Sequence, residues 1–400
     1  MLRRICSIGL LLVLAAVPAF GQTVAGLEVL LAERQALIAG KRVGLITNHT
    51  GVDRQMNHAI DLIGNVPGAR LTALFAPEHG IRGVVQAGGK VADTVDERSG
   101  VKVYSLYGAV RRPTPEMLAE VDVLVYDIQD VGARFYTFIS TMGEGMDAAA
   151  EKGIPFIVLD RPNPLADLRV EGRVMDMNYK SFVGAYPIPA RFGMTPGELA
   201  GFYRDRMEKK VDLEVVKMNN WKRSLWYDQT GLAWIPPSPN IPTLTAAIVY
   251  PGICLIEGTN VSEGRGTTTP FEIIGAPWID GCELADELRK ANLPGILFRP
   301  AGFTPTFSKY QGEVCQGVQL HVVDRDRFEA VRTALHLLRA IRQLWPDKFQ
   351  WRGSLDRLSG SADVRLALER GDTPEQIVES WSAALKEYEE VRRGYLLYDS

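Results

Sequence analysis

Histidine and cysteine are scarce in this chain: its 400 residues contain 5 of the first and 4 of the second, with neither a Cys-x-x-Cys nor a His-Glu-x-x-His spacing. A zinc site of recognisable spacing is thereby excluded. Cys6 falls in an N-terminal apolar segment, and the odd set Cys254, Cys282 and Cys315 admits at most one disulfide, which excludes a fold built on them. The first strand candidate is followed by Asn48-His49-Thr50-Gly51, without the glycine spacing of a dinucleotide or nucleoside triphosphate loop. Nucleotide cofactors are therefore not expected. Neither sign of charge dominates, and a formal net charge of -3 offers no basic field to nucleic acid.

The chain opens with MLRRICSIGLLLVLAAVPAFGQ: two arginines, an apolar stretch over residues 5–20, then the small-x-small pattern Ala19-Phe20-Gly21. This predicts a secretory signal peptide, residues 1–21, cleaved after Gly21. A retained anchor is the alternative, for which the run is slightly short of the ~20 residues a span needs. No later segment is apolar enough to cross a bilayer. The mature chain is expected outside the cytoplasmic membrane, in the periplasm, without stable membrane insertion.

Five β-rich runs follow a leader helix over residues 26–39: RVGLIT (42–47), RLTALF (70–75), VKVYSLY (101–107), VDVLVYD (121–127) and PFIVLD (155–160). Several are almost continuously apolar, as strands covered on both faces are. Helical patterns at 55–66, 114–120 and 138–152 alternate with them, which predicts an α/β fold with a Rossmann-like parallel sheet. Thr114-Pro115, Thr195-Pro196 and Thr373-Pro374 read as helix starts, with Glu198 and Gln376 completing capping boxes. Residues 80–100 are glycine-rich and lack a helical stripe, as a functional insertion would. The proline-rich stretch AWIPPSPNIPTLTAA (233–247) reads as irregular passage into a second domain. A strand at 317–324 and helices at 325–344 and 374–395 make that domain α+β. The expected division is a catalytic domain over 22–235 and a smaller C-terminal domain over 236–400.

In an open parallel sheet, ligands bind at the carboxyl ends of the strands. Here those ends carry Asn48 and His49, Glu78 and His79, then Asp127, Gln129 and Asp130, then Asp160, Arg161 and Asn163. Four strand ends are thus expected to share one polar rim. Asp127 and Asn163 equally suit helix caps or Asx turns, whereas Glu78 is a poor turn residue. The loop GTNVSEGRGTTTPFE (258–272) sets Glu263 and Arg265 among glycines and hydroxyls, a combination suited to a sugar or a carboxylate. Trp221, Trp226, Tyr227, Trp234 and Trp278 are core candidates, of which one or two are expected to line a sugar site.

The blocks LITNHTGVD, FAPEHGIRG, VYDIQDVGARFYT, DRPNPL, PPSPNIPT and EGTNVSEGRGTT, in this order, resemble those of the NamZ-type exo-β-N-acetylmuramidases. The resemblance runs from about Gly26 to the C-terminus. It implies release of terminal β-1,4-linked N-acetylmuramic acid from the non-reducing end of peptidoglycan fragments, with no metal or other cofactor, in a cleft between the two domains. Glycoside hydrolysis normally uses two carboxyl groups. Glu78 is then the candidate acid or acid/base, with His79 orienting it. The second role stays open among Asp127, Asp130, Glu263 and the substrate's own acetamido group. Arg82, Arg134 or Arg265 would pair with the lactyl carboxylate, and the remaining strand-end residues would bind substrate. Two other readings are a metal-assisted hydrolase using His49, His79, Asp127 and Asp160, and a non-catalytic periplasmic binder of cell-wall sugars.

Overall fold

The computed structural model describes residues 21–166 and 169–399. Residues 1–20 of the expected signal peptide lie outside them. The larger sheet contains β1 (Arg42–Thr47), β2 (Arg70–Ala76), β3 (Thr94–Val95), β4 (Lys102–Ser105), β5 (Val123–Asp127), β6 (Phe156–Leu159) and β7 (Leu213–Val216). Their order is β3-β4-β2-β1-β5-β6-β7, and every neighbouring pair is parallel except β3 with β4.

Successive side chains of a strand point to opposite faces, and here both faces are buried. Val43, Leu45, Val123, Val125, Ile157 and Leu159 pack on one side with Leu27 and Leu30 of the helix Gly26–Glu33. Ile46, Leu124, Tyr126, Phe156 and Val158 pack on the other, with Phe138 and Met142 of the helix Phe138–Lys152. This two-sided burial is why the strands read as unbroken apolar runs. The edge strand β7 gave no such signal, because it is mostly half-buried and its Glu214 pairs with Arg34.

Two helical segments differ from expectation. The Asp53 carboxylate accepts from the Gln55 and Asn57 amides and holds a turn, so the next helix spans only Ala59–Gly64, capped by His58. Residues 114–120 form turns rather than a helix, with β5 beginning a few residues later. Thr195 and Thr373 do head helices, each with its capping box.

The second half carries β8 (Ile273–Ala276), β9 (Ile296–Phe303) and β10 (Cys315–Val322), antiparallel in the order β8-β10-β9. The helix Gly281–Lys290 packs on β9 and β10, and Ala330–Leu344 packs on Leu244–Ile253. That last helix begins inside the stretch expected to be irregular, with Thr243 as its cap. The helix expected over 374–395 breaks at buried Trp381 into Pro374–Glu379 and Ser382–Arg393. One apolar cluster runs from Tyr126 and Phe138 through Tyr250 and Phe271 to Leu335, so the two halves share a core. The C-terminal tail returns to the first half: the Leu397 amide donates to Glu198 (2.7 Å) and the Tyr398 hydroxyl to Asp160 (2.5 Å). Cys254, Cys282 and Cys315 are free thiols. Among the described residues no helix is long and apolar enough to cross a membrane.

Candidate active site

The strand order reverses between β1 and β5, where a doubly wound sheet normally opens its ligand crevice. In this chain the crevice is sealed. Asp127, fully buried, holds Arg161 through two bonds of 2.6 and 2.9 Å, and Arg161 also donates to the Val52 carbonyl. The Gly51 backbone fills the remaining space, since a Cβ there would stand 2.3 Å from the Thr47 hydroxyl. Asn48 accepts from the Thr50 amide and hydroxyl, Gln129 donates to the carbonyls of Asp130 and Pro162, and Asp130 accepts from the Gly132 amide. At the end of β6, Asp160 accepts from the Gly197 amide and from the hydroxyls of Thr195 and Tyr398, which caps the helix Pro196–Arg204. Burial pushes its pKa up to about 7. Asn163 links the Leu165 amide to the Met194 carbonyl. The expectation of one rim shared by four strand ends is corrected here. Three of those ends are closed by their own internal bonds, and Asn48, Asp127, Gln129, Asp130, Asp160, Arg161 and Asn163 do not line the main cleft.

That cleft, of about 740 Å³, opens on the β2 and β4 side of the sheet and is walled by both halves of the chain. Glu78 and His79 reach it from a turn after β2, closed by the Gly80 amide donating to the Pro77 carbonyl (3.0 Å). His79 takes a left-handed conformation, φ 73°, uncommon for a residue with a Cβ and a strain that such turns confine to the corner next to the side chain they aim. The His79 ring turns inward: Nδ1 donates to the Val85 carbonyl (2.7 Å), and burial lowers its pKa against the pull of Glu78. A neutral imidazole thus anchors the insertion after β2. Glu78 turns outward into the cleft, where Oε2 accepts from the Thr137 hydroxyl (2.6 Å) and Oε1 from the Gly88 amide (3.0 Å). The phenol of Tyr107, beyond β4, stands beside it, and burial and the Glu78 charge raise its pKa. The glycine-rich insertion therefore supplies a backbone donor to the carboxylate, and Gln86 ties it to Asn240 of the facing wall.

The second half contributes charge. Arg265 pairs with Glu257 (2.6 Å) and Glu263 (3.3 Å), and Lys309 with Glu263 (2.9 Å). Burial raises the pKa of Glu257 and lowers that of Lys309, in each case opposed by the oppositely charged neighbours. Of the residues singled out in the sequence, the structure gathers Glu78, His79, Glu263 and Arg265 in this one cleft. It sends His49 and Arg82 to a separate depression, where His49 donates to the Pro236 carbonyl and Arg82 pairs with Asp96. Arg134 is buried and donates to the carbonyls of Arg173, Ile188 and Leu358, with its pKa lowered to about 10 by burial. Neither Arg82 nor Arg134 lines the cleft.

Sequence reasoning missed Tyr107, Thr137, Glu257, Lys309 and Arg352, all of which line it. Thr137 and Glu257 sit within or beside the quoted blocks, whereas Lys309 and Arg352 carry no local signal. The aromatic walls are Tyr107, Phe135, Tyr136, Tyr250, Phe271 and Phe307 rather than the tryptophans. Trp226 donates to Asp326 and Trp278 to the Tyr310 hydroxyl instead. Among the described residues no three of His, Cys, Asp and Glu are arranged to hold a metal ion, and His49, His79, Asp127 and Asp160 each have separate partners.

Comparison with known proteins gives a consistent result. The N-terminal domain of the exo-β-N-acetylmuramidase NamZ matches residues 43–245, and its C-terminal domain matches 248–398. The peptidoglycan β-N-acetylmuramidase NamZ of Bacillus subtilis (strain 168) is 51% identical over 375 residues, covering 93% of this chain and 91% of that protein. Two crystal structures of DUF1343 family proteins from Bacteroides fragilis NCTC 9343 superpose with TM-scores of 0.89 and 0.79, at 41% and 32% identity. Each covers 94% of this chain and 99% of its own.

Proposed function

The chain belongs to the NamZ exo-β-N-acetylmuramidase family, and from that premise we propose that its cleft removes terminal β-1,4-linked N-acetylmuramic acid from the non-reducing end of peptidoglycan fragments. The enzyme is a glycosidase. The observation that carries the assignment of its chemistry is Glu78, aimed into the cleft and held by Thr137 and Gly88.

Glu78 acts as the acid or acid/base. The Thr137 hydroxyl can donate to a carboxylate or accept from a carboxylic acid, so it serves Glu78 in both states. The Gly88 amide only donates, which fixes the oxygen that stays unprotonated and leaves Oε2 to carry the proton. His79 positions this group through its bond to Val85. The second carboxyl role belongs to the wall formed by the second half, where Glu257 and Glu263 share Arg265. The N-terminal leader supports secretion into the periplasm, where this substrate lies, and a mature protein beginning at Gln22 is the expected result of N-terminal sequencing.

The deciding experiment is turnover. Incubation with a chromogenic β-N-acetylmuramide and with the muramyl-glucosamine disaccharide should release the reporter and free N-acetylmuramic acid. Intact substrate after long exposure to concentrated enzyme would favour a binding protein instead.

A further inference from the structure

Three acidic and three basic side chains line the cleft: Glu78, Glu257, Glu263, Arg265, Lys309 and Arg352. Two of the cations are already engaged. Arg265 holds Glu257 and Glu263, and withdrawing it to a ligand would strand both carboxylates. Lys309 pairs with Glu263 and also donates to the carbonyls of Val261 (2.7 Å) and Ile256 (3.1 Å). Arg352 differs: among the described residues no carboxylate lies within ion-pair distance of it, and its side chain is exposed to the cleft.

Its backbone, in contrast, is firmly placed. The Arg352 amide donates to the Gly258 carbonyl (2.7 Å), and Trp351 bridges Thr259. Gly258 admits no side chain, because a Cβ would stand 2.5 Å from that of Leu355. The segment bearing Arg352 is thus locked against the one bearing Glu257. A free guanidinium on a fixed wall, beside a network whose charges are mutually neutralised, lacks an anion that the protein does not supply. Its planar fork suits a carboxylate.

We propose that Arg352 reads the lactyl carboxylate that distinguishes N-acetylmuramic acid from N-acetylglucosamine. This rests on the function proposed above. Arg265, expected from the sequence to make that contact, instead keeps the acidic wall in place.

The test compares wild type with Arg352→Gln and Arg352→Lys. The readouts are kcat and KM on chromogenic β-muramide and β-N-acetylglucosaminide, with calorimetric binding of N-acetylmuramic acid, its lactyl carboxamide and N-acetylglucosamine. Arg352→Gln should lower the muramide-to-glucosaminide ratio of kcat/KM by about 10-fold or more, largely through KM, as loss of a charge-assisted hydrogen bond implies. Arg352→Lys should recover part of it. In calorimetry the preference for the acid over its carboxamide should shrink in parallel. A muramidase whose Arg352→Gln variant keeps the wild-type ratio overturns the proposal and leaves the function standing. If wild type cleaves neither glycoside, the function falls and calorimetry decides alone: a preference for the acid lost in Arg352→Gln upholds the role of Arg352, and any other pattern overturns it. Because the side chain is exposed, unaltered melting of the variants is expected and serves as the folding control.

Discussion

Replacing Glu78 by Gln removes a transferable proton and little else. The Gly88 amide donates to Oε1 from 3.0 Å and so demands an oxygen there, which places the new amide nitrogen at the Oε2 position, 2.6 Å from the Thr137 hydroxyl. That hydroxyl turns and accepts. One hydrogen bond changes its sense, so the stability cost should be no more than about 1 kcal/mol. Catalysis should suffer far more. General acid catalysis is worth roughly 10²- to 10⁴-fold, or about 3–5 kcal/mol of barrier. The loss should appear in kcat on the disaccharide, whose sugar leaving group needs a proton, while N-acetylmuramic acid still binds. On a nitrophenyl muramide the loss should be smaller, because nitrophenolate departs with little assistance. Rates on both substrates, with a denaturation curve for each protein, make the measurement. A folded Glu78→Gln enzyme that cleaves the disaccharide at near wild-type rate would refute the reasoning and move the acid to Glu263.

Thr137→Val keeps the shape of the residue that orients Glu78 but removes its hydroxyl. Turnover should drop by about 5- to 10-fold at unchanged folding, as one neutral hydrogen bond implies, and an unaffected kcat would show that Thr137 is idle. Arg161→Met leaves the fully buried Asp127 carboxylate without its partner and should cost about 3–5 kcal/mol in urea unfolding, whereas activity per folded molecule should persist. Selective loss of activity without loss of stability would return Asp127 to the catalytic list. Asp160 makes stability depend on pH. Its folded pKa of about 7 lies above the unfolded value, so its contribution is full below pH ~4 and declines as pH rises to 7, by on the order of 4 kcal/mol. Asp160→Asn should remove that slope, and parallel stability curves for the two proteins between pH 4 and 7 would contradict it. Extended dialysis against EDTA should leave muramidase activity intact, and loss restored by a divalent ion would revive the metal-assisted alternative.

Five strands, the Rossmann-like character of the first half and the place of Glu78 beyond β2 were all legible in the amino-acid sequence. Each rests on local chemistry. A strand buried on both faces must be apolar at every position, a threonine before a proline suits a helix cap, as at Thr195 and Thr373 though not at Thr114, and Glu78 is an unlikely turn former that nonetheless follows such a strand. The blocks around Glu78 and Glu263 also carried the family. What the sequence withheld is which strand ends are open. Asp127 and Glu78 look alike there, both carboxylates following buried strands, yet one meets Arg161 and the other meets Thr137 and solvent space. Those partners stand 34 and 59 residues away, and Tyr398, which helps bury Asp160, stands 238 away. The arginines show the same division. Arg134, Arg265 and Arg352 carry the same charge, yet the fold buries the first among carbonyls of both halves, clamps the second between Glu257 and Glu263 of its own half and leaves the third facing the cleft. Whether a charged group binds a ligand or a neighbour depends on what desolvates it, and in this protein the desolvating surface comes from distant segments that only the tertiary fold brings together.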